Sequence, residues 1–463
     1  MVDLTQLEAE QLRDRLLKDL SARQPAIEKL HRYYDGDHDL PSLPERCNDD
    51  IKALRMWAVV NLCPLVVNAV DERLEVQGFK FARQPDPGDV NVWDSIWQPN
   101  QMDAVSGLVM QESLIARRSF CLVWPNEDGT PAIYPETPAE VLVDYQPGSR
   151  AVRRAAIKSF ADGDRVTDVT MWTADTVHRW RSDSRIAAHV ASLELVEVYA
   201  NPMGVVPVVE FLSLPDLRGV PHSELDRGVL RIQDSITKTK FDRLVLQEFQ
   251  AFPQRWATGI EPEVDENGIA VAPFRVGPNR IAVNESNDVT FGQWDAADLK
   301  PLLDATTADI HAMAAVTKTP VHYLAAEFSN VSADAIRAAE AGLVKKVVGH
   351  QRTYGEAWEE VIRLALSIID DPRSTDQSSF IEWSDPETRT IAELADATVK
   401  LAPFIPEDEV WARLGYSPQQ RARFATQRVQ QALTADLSTR VPPVTRSVQR
   451  DTDGRVARIV EDM

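Results

Sequence analysis

The spacing of apolar residues predicts a helical start to the chain. Between Leu4 and Tyr34, leucines recur near the helical period, and Pro25 favours a break into two helices. A second helical stretch is predicted from Trp57 to Leu74, where Pro64 either breaks the helix or occupies its first turn. A third helix is predicted from about Trp93 to Arg117.

Strand patterns follow these helices. A short strand is predicted over Val76–Phe81, and short apolar segments with the alternation of strands continue from about 119 to 212. Asp128 and Gly129 provide a turn signal between two apolar runs, as in a β-hairpin. The first part of the chain is therefore predicted to be an α+β unit whose sheet is built from hairpins.

The central part of the chain predicts two helices on either side of a small insertion. Ser223 and Asp226 have the spacing of a capping box, so a long helix is predicted to begin there. Residues 253–296 contain strand patterns with an Asn-Gly turn signal at 267–268. A second helix is predicted over about 298–316, so the two helices should form a hairpin with the β-rich insertion at its tip.

A long helix is the main prediction for the following segment. Pro320 forces extended backbone on the residue before it, and Ser332 then has the character of an N-cap. The alanine-rich stretch from there to about Asp370 predicts a helix of roughly 58 Å, a length typical of an elongated subunit packed beside its neighbours. The alternative is two helices broken near Gly349 or Gly355.

The C-terminal part predicts short helices up to about Thr434. From Leu437 onward the composition turns to proline, threonine, serine and arginine. This composition predicts a flexible, solvated tail.

Composition and charge narrow the classes of function. The chain of 463 residues carries a formal net charge of −21, which excludes a broadly basic surface that grips DNA phosphates. No apolar run is long enough for a transmembrane helix, and the charged N-terminus has no secretion signal. Its three cysteines lack the C-x-x-C spacing, which argues against a disulfide scaffold or a zinc site.

Motifs for catalysis or cofactor binding are missing from the sequence. It contains no phosphate-binding G-x-x-x-x-G-K-[ST] loop, no G-x-G-x-x-G, no H-E-x-x-H and no G-x-S-x-G. The acidic stretch Asp35–Asp39 imitates the start of a calcium loop, but Leu40 and Arg46 stand where glycine and the bidentate acid are needed. We therefore predict no catalytic residue, metal or cofactor. A metal-dependent hydrolase or nuclease that uses the surplus carboxylates, and an assembly adaptor, remain as alternatives.

Four stretches carry a resemblance to a known family. They are YYDGDHDLP, NAVDERLEVQGF at Asn68–Phe79, SELDRGVLRIQDSITKTKFDRLVLQEFQAFPQRWATG and TPVHYLAAEFSNVSADAIRAAEAGLVKK. In this order the chain resembles the phage portal proteins, in the branch typified by long-tailed actinobacterial phages. The resemblance extends from the N-terminal helix to about residue 430, and its specificity lies in the ordered set rather than in any single motif.

The resemblance implies a ring-forming structural protein without enzymatic activity. It implies a dodecamer at one capsid vertex, through which double-stranded DNA is packaged and ejected, and an α+β portal fold of wing, stem, clip and crown. The implied ranges are wing 1–220, first stem helix 221–252, clip 253–296, second stem helix 297–317, tunnel loop 318–331, spine helix 332–370, crown and C-terminal helices 371–436 and flexible tail 437–463.

The resemblance also implies partners and a location. The implied partners are further copies of the chain, the terminase large subunit, the major capsid and scaffolding proteins, and head-completion or adaptor proteins. Double-stranded DNA would pass through the ring without sequence specificity, and no membrane contact is implied. The protein is expected in the virion, at the portal vertex, after assembly in the host cytoplasm.

Candidate residues follow from the implied channel. An acidic lining repels DNA toward the axis and keeps it mobile, whereas a few cations at one level can guide it. The candidate cations are Lys238, Lys240, Arg243 and Lys318, with His322, Tyr323, Phe328 and Asn330 in the tunnel loop. The alternative for the stem cations is ordinary helix charges paired with Asp234, Asp242 and Glu248. The candidate clip surface for partners comprises Arg255, Trp256, Arg275 and Arg280.

The tunnel-loop assignment makes a testable prediction. Replacing Tyr323 or Phe328 with glycine should leave ring assembly intact and alter the retention of packaged DNA, because a pore residue contacts DNA and not the subunit core. Ring assembly is measured by negative-stain microscopy, and DNA retention by nuclease protection of filled particles. Collapse of the ring in either variant would instead place that residue in the core.

Overall fold

Helices and strands occupy alternating blocks of the chain. The computed structural model describes residues 5–43, 49–81, 91–161, 167–182, 192–251, 255–259, 263–264, 270–271, 288, 290–293, 298–325, 333–387, 396, 398–400, 402–416, 418–440, 445–450 and 452–462. The α-helices are α1 (Gln6–Asp35), α2 (Asp49–Trp57), α3 (Cys63–Asp71), α4 (Met102–Ala116), α5 (Arg227–Ala251), α6 (Lys300–Thr317), α7 (Val321–Leu324), α8 (Ala333–Ile368), α9 (Glu407–Arg413) and α10 (Pro418–Arg440).

The strands fall into two sheets and four isolated pairs. They are β1 (Val76–Lys80), β2 (Arg118–Pro125), β3 (Pro131–Glu136), β4 (Val141–Tyr145), β5 (Arg153–Ala161), β6 (Thr167–Thr173), β7 (Thr176–Ser182), β8 (Glu194–Ala200), β9 (Val208–Leu212), β10 (Arg255–Thr258), β11 (Glu263–Val264), β12 (Ala270–Val271), β13 (Thr290–Gln293), β14 (Phe380–Trp383), β15 (Thr445–Arg450) and β16 (Val456–Asp462). A π-turn over Trp93–Trp97 and a 3₁₀ turn over Pro372–Thr375 complete the regular structure of the described residues.

Helix α1 is continuous, so the predicted break at Pro25 is wrong. Thr5 and Glu8 form a reciprocal capping box at its start, and Gly36 ends it in the left-handed conformation with φ of 82°. Pro25 removes one backbone hydrogen bond, but Leu20 and Ile27 on its two sides are both buried. Burial of apolar residues along the whole length of the helix outweighs the local cost of proline.

The hairpin-rich pattern over about 119–212 is present as two packed sheets. Antiparallel strands in the order β4-β5-β6-β7-β8 form one sheet, and β3-β2-β9 form the other. One face of the five-stranded sheet packs against α1, where Trp180 is buried beside Leu16 and Leu20. The opposite face packs against residues of the three-stranded sheet, among them Phe120 and Val208. The α+β class predicted for this part is therefore present.

The largest hydrophobic core is built around the second half of α8. This helix is continuous over 36 residues, about 54 Å, and Gly349 and Gly355 lie inside it. One face of the helix is fully buried in the core. Its residues recur at helical spacing: Leu343, Val347, His350, Tyr354, Trp358, Val361 and Ala365. The ring of Trp358 packs edge-on against Trp97 and Phe211, at centroid distances of 5.4 and 4.6 Å. The alternative of two broken helices is excluded because one buried face spans both glycines.

The start of α5 differs from the prediction. The helix begins at Arg227, and Asp226 caps it by accepting a hydrogen bond from the Val229 amide at 2.9 Å. Ser223 instead donates its hydroxyl to the carbonyl oxygens of Leu114 and Ile115 at the end of α4, at 3.1 and 2.6 Å. The predicted capping box is wrong because Ser223 satisfies buried carbonyls of another helix.

Two C-terminal features lie outside the predicted pattern. Strand β14 pairs antiparallel with β1, so the chain after α8 returns to residues near its beginning. The range 437–463 is predicted to be a flexible tail, but α10 continues to Arg440 and strands β15 and β16 form an antiparallel hairpin. Strands β15 and β16 therefore lie within the range that the sequence predicts as a tail, with Val448 and Ile459 in register across the hairpin, and the flexibility of the tail stays a prediction.

A buried carboxyl group lies at the end of α3. Asp71 accepts a hydrogen bond from the side-chain amide of Gln111 at 3.2 Å, while its second oxygen is buried without a partner among the described residues. Burial raises the pKa of Asp71 from its ordinary value of 3.8 to about 6, although the bond from Gln111 opposes the shift. Between pH 3.8 and about 6, Asp71 is therefore mostly protonated in the folded chain and mostly ionised in the unfolded chain.

Because the pKa of Asp71 is raised in the folded chain, replacing this carboxyl with a neutral amide is expected to stabilise the protein at neutral pH. The protonated carboxyl contributes fully to stability below pH 3.8, and the contribution is lost as the pH rises through about 6. Asp71→Asn should therefore raise the free energy of unfolding by about 2 kcal/mol at pH 7.5, and by about half as much at pH 5. Denaturant unfolding at both pH values measures this, with the exposed Asp49→Asn as control. An equal effect of Asp71→Asn at both values would contradict the prediction.

Candidate functional site

Helices α5 and α6 form the pair that carries the predicted stem. They pack against each other, and the Ser235 hydroxyl donates to Asp309 at 2.7 Å between them. Strand β10 follows α5 and pairs antiparallel with β13, so the insertion starts and ends as two adjacent strands. The order of helix, strand pair and helix agrees with the predicted hairpin.

The candidate clip surface is described only in part. Trp256 on β10 is 39% exposed and lies opposite Gly292 on β13, whose place admits only glycine because an added Cβ would lie 2.3 Å from the indole. Arg255 occupies the neighbouring position of β10. Arg275 and Arg280 lie outside the described residues, so the joint surface of the four stays a prediction.

The predicted stem cations divide into two kinds. Lys238 forms an ion pair with Asp242 one turn later, as in the alternative of ordinary helix charges. Lys240 and Arg243 have no carboxylate within ion-pair distance in the part of the chain that the structure describes. Burial, and then repulsion by Arg243, lower the pKa of Lys240. These two residues form a partly buried positive pair on an otherwise acidic protein.

The predicted tunnel loop begins in a described segment, residues 318–325. Lys318 ends α6 in the left-handed conformation with φ of 56°, and its side chain is exposed. His322 and Tyr323 lie on the single turn of α7, and both are only half-exposed. Phe328 and Asn330 lie outside the described residues, so their place in the channel stays a prediction.

A buried ion cluster joins the two stem helices to α8, and we name it the Lys346 cluster. The ammonium group of Lys346 donates to Glu224 at 2.7 Å and to the carbonyl oxygen of Thr317 at 2.6 Å. His350 lies 3.0 Å from the second oxygen of Glu224. Burial alone would raise the pKa of Glu224, but the bonds from His350 and Lys346 outweigh it and hold this pKa below its ordinary value. Glu224 is thus held as a carboxylate between two α8 side chains.

A second cluster holds His322 and Tyr323 of α7, and we name it the Arg73 cluster. The guanidinium group of Arg73 donates to the hydroxyl of Tyr323 at 2.8 Å and to the carbonyl oxygen of Pro386 at 2.6 Å. Glu340 of α8 accepts from this tyrosine hydroxyl at 3.3 Å and lies 3.4 Å from Arg73. His322 is 3.8 Å from the same carboxylate. His322 and Tyr323 therefore contact α8.

Of the residues in the two clusters, only His322 and Tyr323 are candidates on the sequence, and they are predicted there as tunnel-loop residues; Arg73, Glu224, Glu340, Lys346 and His350 are not. Arg73 and Tyr323 are 250 positions apart, and Glu224 and Lys346 are 122 positions apart. Each is an ordinary charged residue within its own local pattern. The only local signal is the position of Tyr323 directly after the extended Thr319-Pro320 unit.

Neither a metal-binding cluster nor a membrane-spanning helix occurs among the described residues. Among them, no group of three histidine, cysteine, aspartate or glutamate side chains is arranged to hold a metal ion. The acidic stretch that imitates a calcium loop is engaged by an arginine instead, since Arg32 donates to Asp39 at 2.9 Å. Over the same ranges, no helix has both the length and the apolar character needed to cross a membrane.

Comparison with solved structures finds chains of similar extent. One is in the structure titled "Neck of native GTA particle computed with C12 symmetry", which is 12% identical with a TM-score of 0.43, covering 77% of this chain and 90% of that one. Another is an HK97 family phage portal protein from Corynebacterium diphtheriae, which is 9% identical with a TM-score of 0.33, covering 76% of this chain and 97% of that one.

Comparison of sequences finds relatives over most of the chain. The portal protein of Mycobacterium phage L5 is 30% identical over 418 residues, covering 84% of this chain and 82% of that protein. The portal protein of Mycobacterium phage D29 is 29% identical over 385 residues, covering 77% and 76%. The family model described as "Phage portal protein, SPP1 Gp6-like" matches residues 13–422. The chain therefore belongs to the SPP1 Gp6-like family of phage portal proteins.

Proposed function

We propose that this chain is one subunit of a dodecameric ring at a single capsid vertex, through which double-stranded DNA is packaged and later ejected. The match of residues 13–422 to the portal family carries this proposal. Portal proteins are structural components of the virion, and the proposed role needs no catalytic residue. In the ring, α5 and α6 act as the stem, β10 and β13 as part of the clip, and α8 as the spine.

An exposed edge strand supports assembly with neighbouring subunits. All seven residues of β8 are exposed, although four of them are the large apolar residues Leu195, Val196, Val198 and Tyr199. A long apolar strand with a free edge favours unwanted pairing unless a partner covers it. An adjacent subunit of a closed ring would provide such a cover.

The charge of the chain supports a channel that does not bind DNA tightly. With a net charge of −21, most of the surface repels the phosphates and leaves the duplex mobile. The pair Lys240 and Arg243 forms a local exception on α5, and Lys318 lies exposed at the end of α6. In the proposed ring these cations guide DNA at the stem.

The proposed partners follow from the ring. The terminase large subunit docks on the clip while DNA is packaged, and head-completion or adaptor proteins replace it afterwards. The major capsid and scaffolding proteins surround the outer face during assembly in the host cytoplasm. The exposed ring of Trp256 on β10 is the described apolar feature that supports the clip as the docking surface.

Ring formation is the first test. The purified protein should form a closed particle with twelve times the mass of the 51.8-kDa chain, and microscopy should show a central hole in axial views. Mass photometry across salt and protein concentrations measures the mass. Monomers under all assembly conditions would contradict the proposal and favour the adaptor. Cleavage of DNA in Mg²⁺ or Mn²⁺, above the background of a mock preparation, would favour the nuclease.

The stem cations Lys240 and Arg243, which have no carboxylate partner among the described residues, provide a second test. The double variant Lys240→Gln/Arg243→Gln should form normal rings but package about fivefold less DNA, because two guiding charges per subunit are lost. DNA protected from nuclease in filled particles is the measurement. Lys238→Gln is the matched control, since Asp242 already neutralises that lysine and little change is expected. Equal effects of the control and the double variant would contradict a guiding role.

A further inference from the structure

We propose that Arg73 and Lys346 are positioning residues that anchor residues 318–325 to α8. On this proposal His322 and Tyr323 serve as anchors of the loop and not as channel-lining residues. The consequence for DNA rests on the proposed function, in which this segment leads into the tunnel loop. The anchoring itself is a property of the folded chain.

The Lys346 cluster contacts the stem at two places, just before the start of α5 and at the end of α6. Thr317 is the last residue of α6, and its carbonyl oxygen belongs to the negative end of that helix, where an ammonium group is stabilising. Glu224 lies just before α5, so the same lysine also fixes the approach to the first stem helix. The side chains of Lys346 and Glu224 are each only 8% exposed. Removal of the lysine would leave a buried carboxylate with a weaker set of partners, which is costly.

The Arg73 cluster uses the shape of the guanidinium group. Its two terminal nitrogens reach different targets, namely the Tyr323 hydroxyl and the carbonyl oxygen of Pro386. Glu340 provides the neutralising charge, and the side chains of Arg73 and Glu340 are 11% and 12% exposed. A lysine has a single ammonium group in place of this rigid fork, so Arg73→Lys cannot reproduce both bonds.

The segment between the clusters is too short to be stable by itself. Helix α7 has four residues, below the length at which a helix forms without tertiary contacts. Its backbone is nevertheless bonded, because the amide of Tyr323 donates to the Pro320 carbonyl at 3.0 Å and that of Ala325 to the Val321 carbonyl at 2.8 Å. Leu324 is buried and contributes apolar contacts. The Lys346 cluster holds Thr317, the residue just before this segment, and the Arg73 cluster holds Tyr323 within it.

Amide hydrogen exchange of the full-length protein tests the anchor directly. In Lys346→Met and in Arg73→Met, peptides covering residues 318–325 should exchange about tenfold faster than in the wild type. Peptides from the buried second half of α8 should keep their protection. Tyr323→Phe keeps the ring and removes only the hydroxyl, so a smaller increase is expected. Lys346→Arg should restore most of the protection lost in Lys346→Met.

The matched control removes an ion pair of the same length from the surface. Lys52 lies 2.7 Å from Asp49, as Lys346 does from Glu224, but the side chains of Lys52 and Asp49 are 45% and 92% exposed. Lys52→Met should leave exchange over 318–325 unchanged. Wild-type exchange in both methionine variants and in Tyr323→Phe would overturn the proposal. If the methionine variants fail to fold, Tyr323→Phe decides the Arg73 anchor, and Lys346→Gln, which removes the charge but keeps a polar side chain, decides the Lys346 anchor by the same exchange measurement.

The exchange result separates this proposal from the proposed function. Failure of the wild type to form rings would contradict the portal role, whereas exchange over 318–325 still decides the anchor. Where rings form, Tyr323→Phe should assemble normally and retain less packaged DNA in a nuclease-protection assay. Faster exchange together with unchanged DNA retention would overturn the link between the anchor and the channel.

Discussion

The burial of one face of α8 is the interaction on which the rest of the structure depends. Trp358 lies between Trp97 and Phe211, so helices, strands and the preceding π-turn meet on a single helix. Since this face is continuous, the helix runs unbroken through its glycines, and only its first turns, before Leu343, lie outside the fully buried stretch. Both ion clusters form on the first half of α8 and the adjoining turn. The core therefore fixes where the segment after α6 begins.

Two buried ion clusters fix the positions of the elements that pack beside the apolar core of α8. In a chain of net charge −21, the buried cations Arg73 and Lys346 are each matched to a glutamate and to backbone carbonyls. Such clusters define one geometry, because a shifted helix would leave a buried charge unpaired. Lys240 and Arg243 contrast with them, since they have no such match among the described residues. This difference separates structural cations from those proposed to guide DNA.

The proposed assembly would explain why apolar side chains on β8 and β10 are exposed in the single chain. The apolar edge strand β8 and the exposed Trp256 both expose surface that water disfavours. Helix α6 likewise leaves most of its residues exposed or only partly buried. These surfaces agree with the proposed ring, in which neighbouring subunits would cover them.

The sequence by itself determined the features with local causes, because periodicity and turn residues act over a few positions. These features are the long α8, the α5 and α6 pair and the hairpin-built sheets. Local patterns failed where a distant contact competed, as when Pro25 stays helical through burial and Ser223 bonds another helix. Only the tertiary structure decided the β1–β14 pair and the joining of Arg73 to Tyr323 and of Lys346 to the stem. No local pattern encodes a bond between side chains that are more than a hundred positions apart.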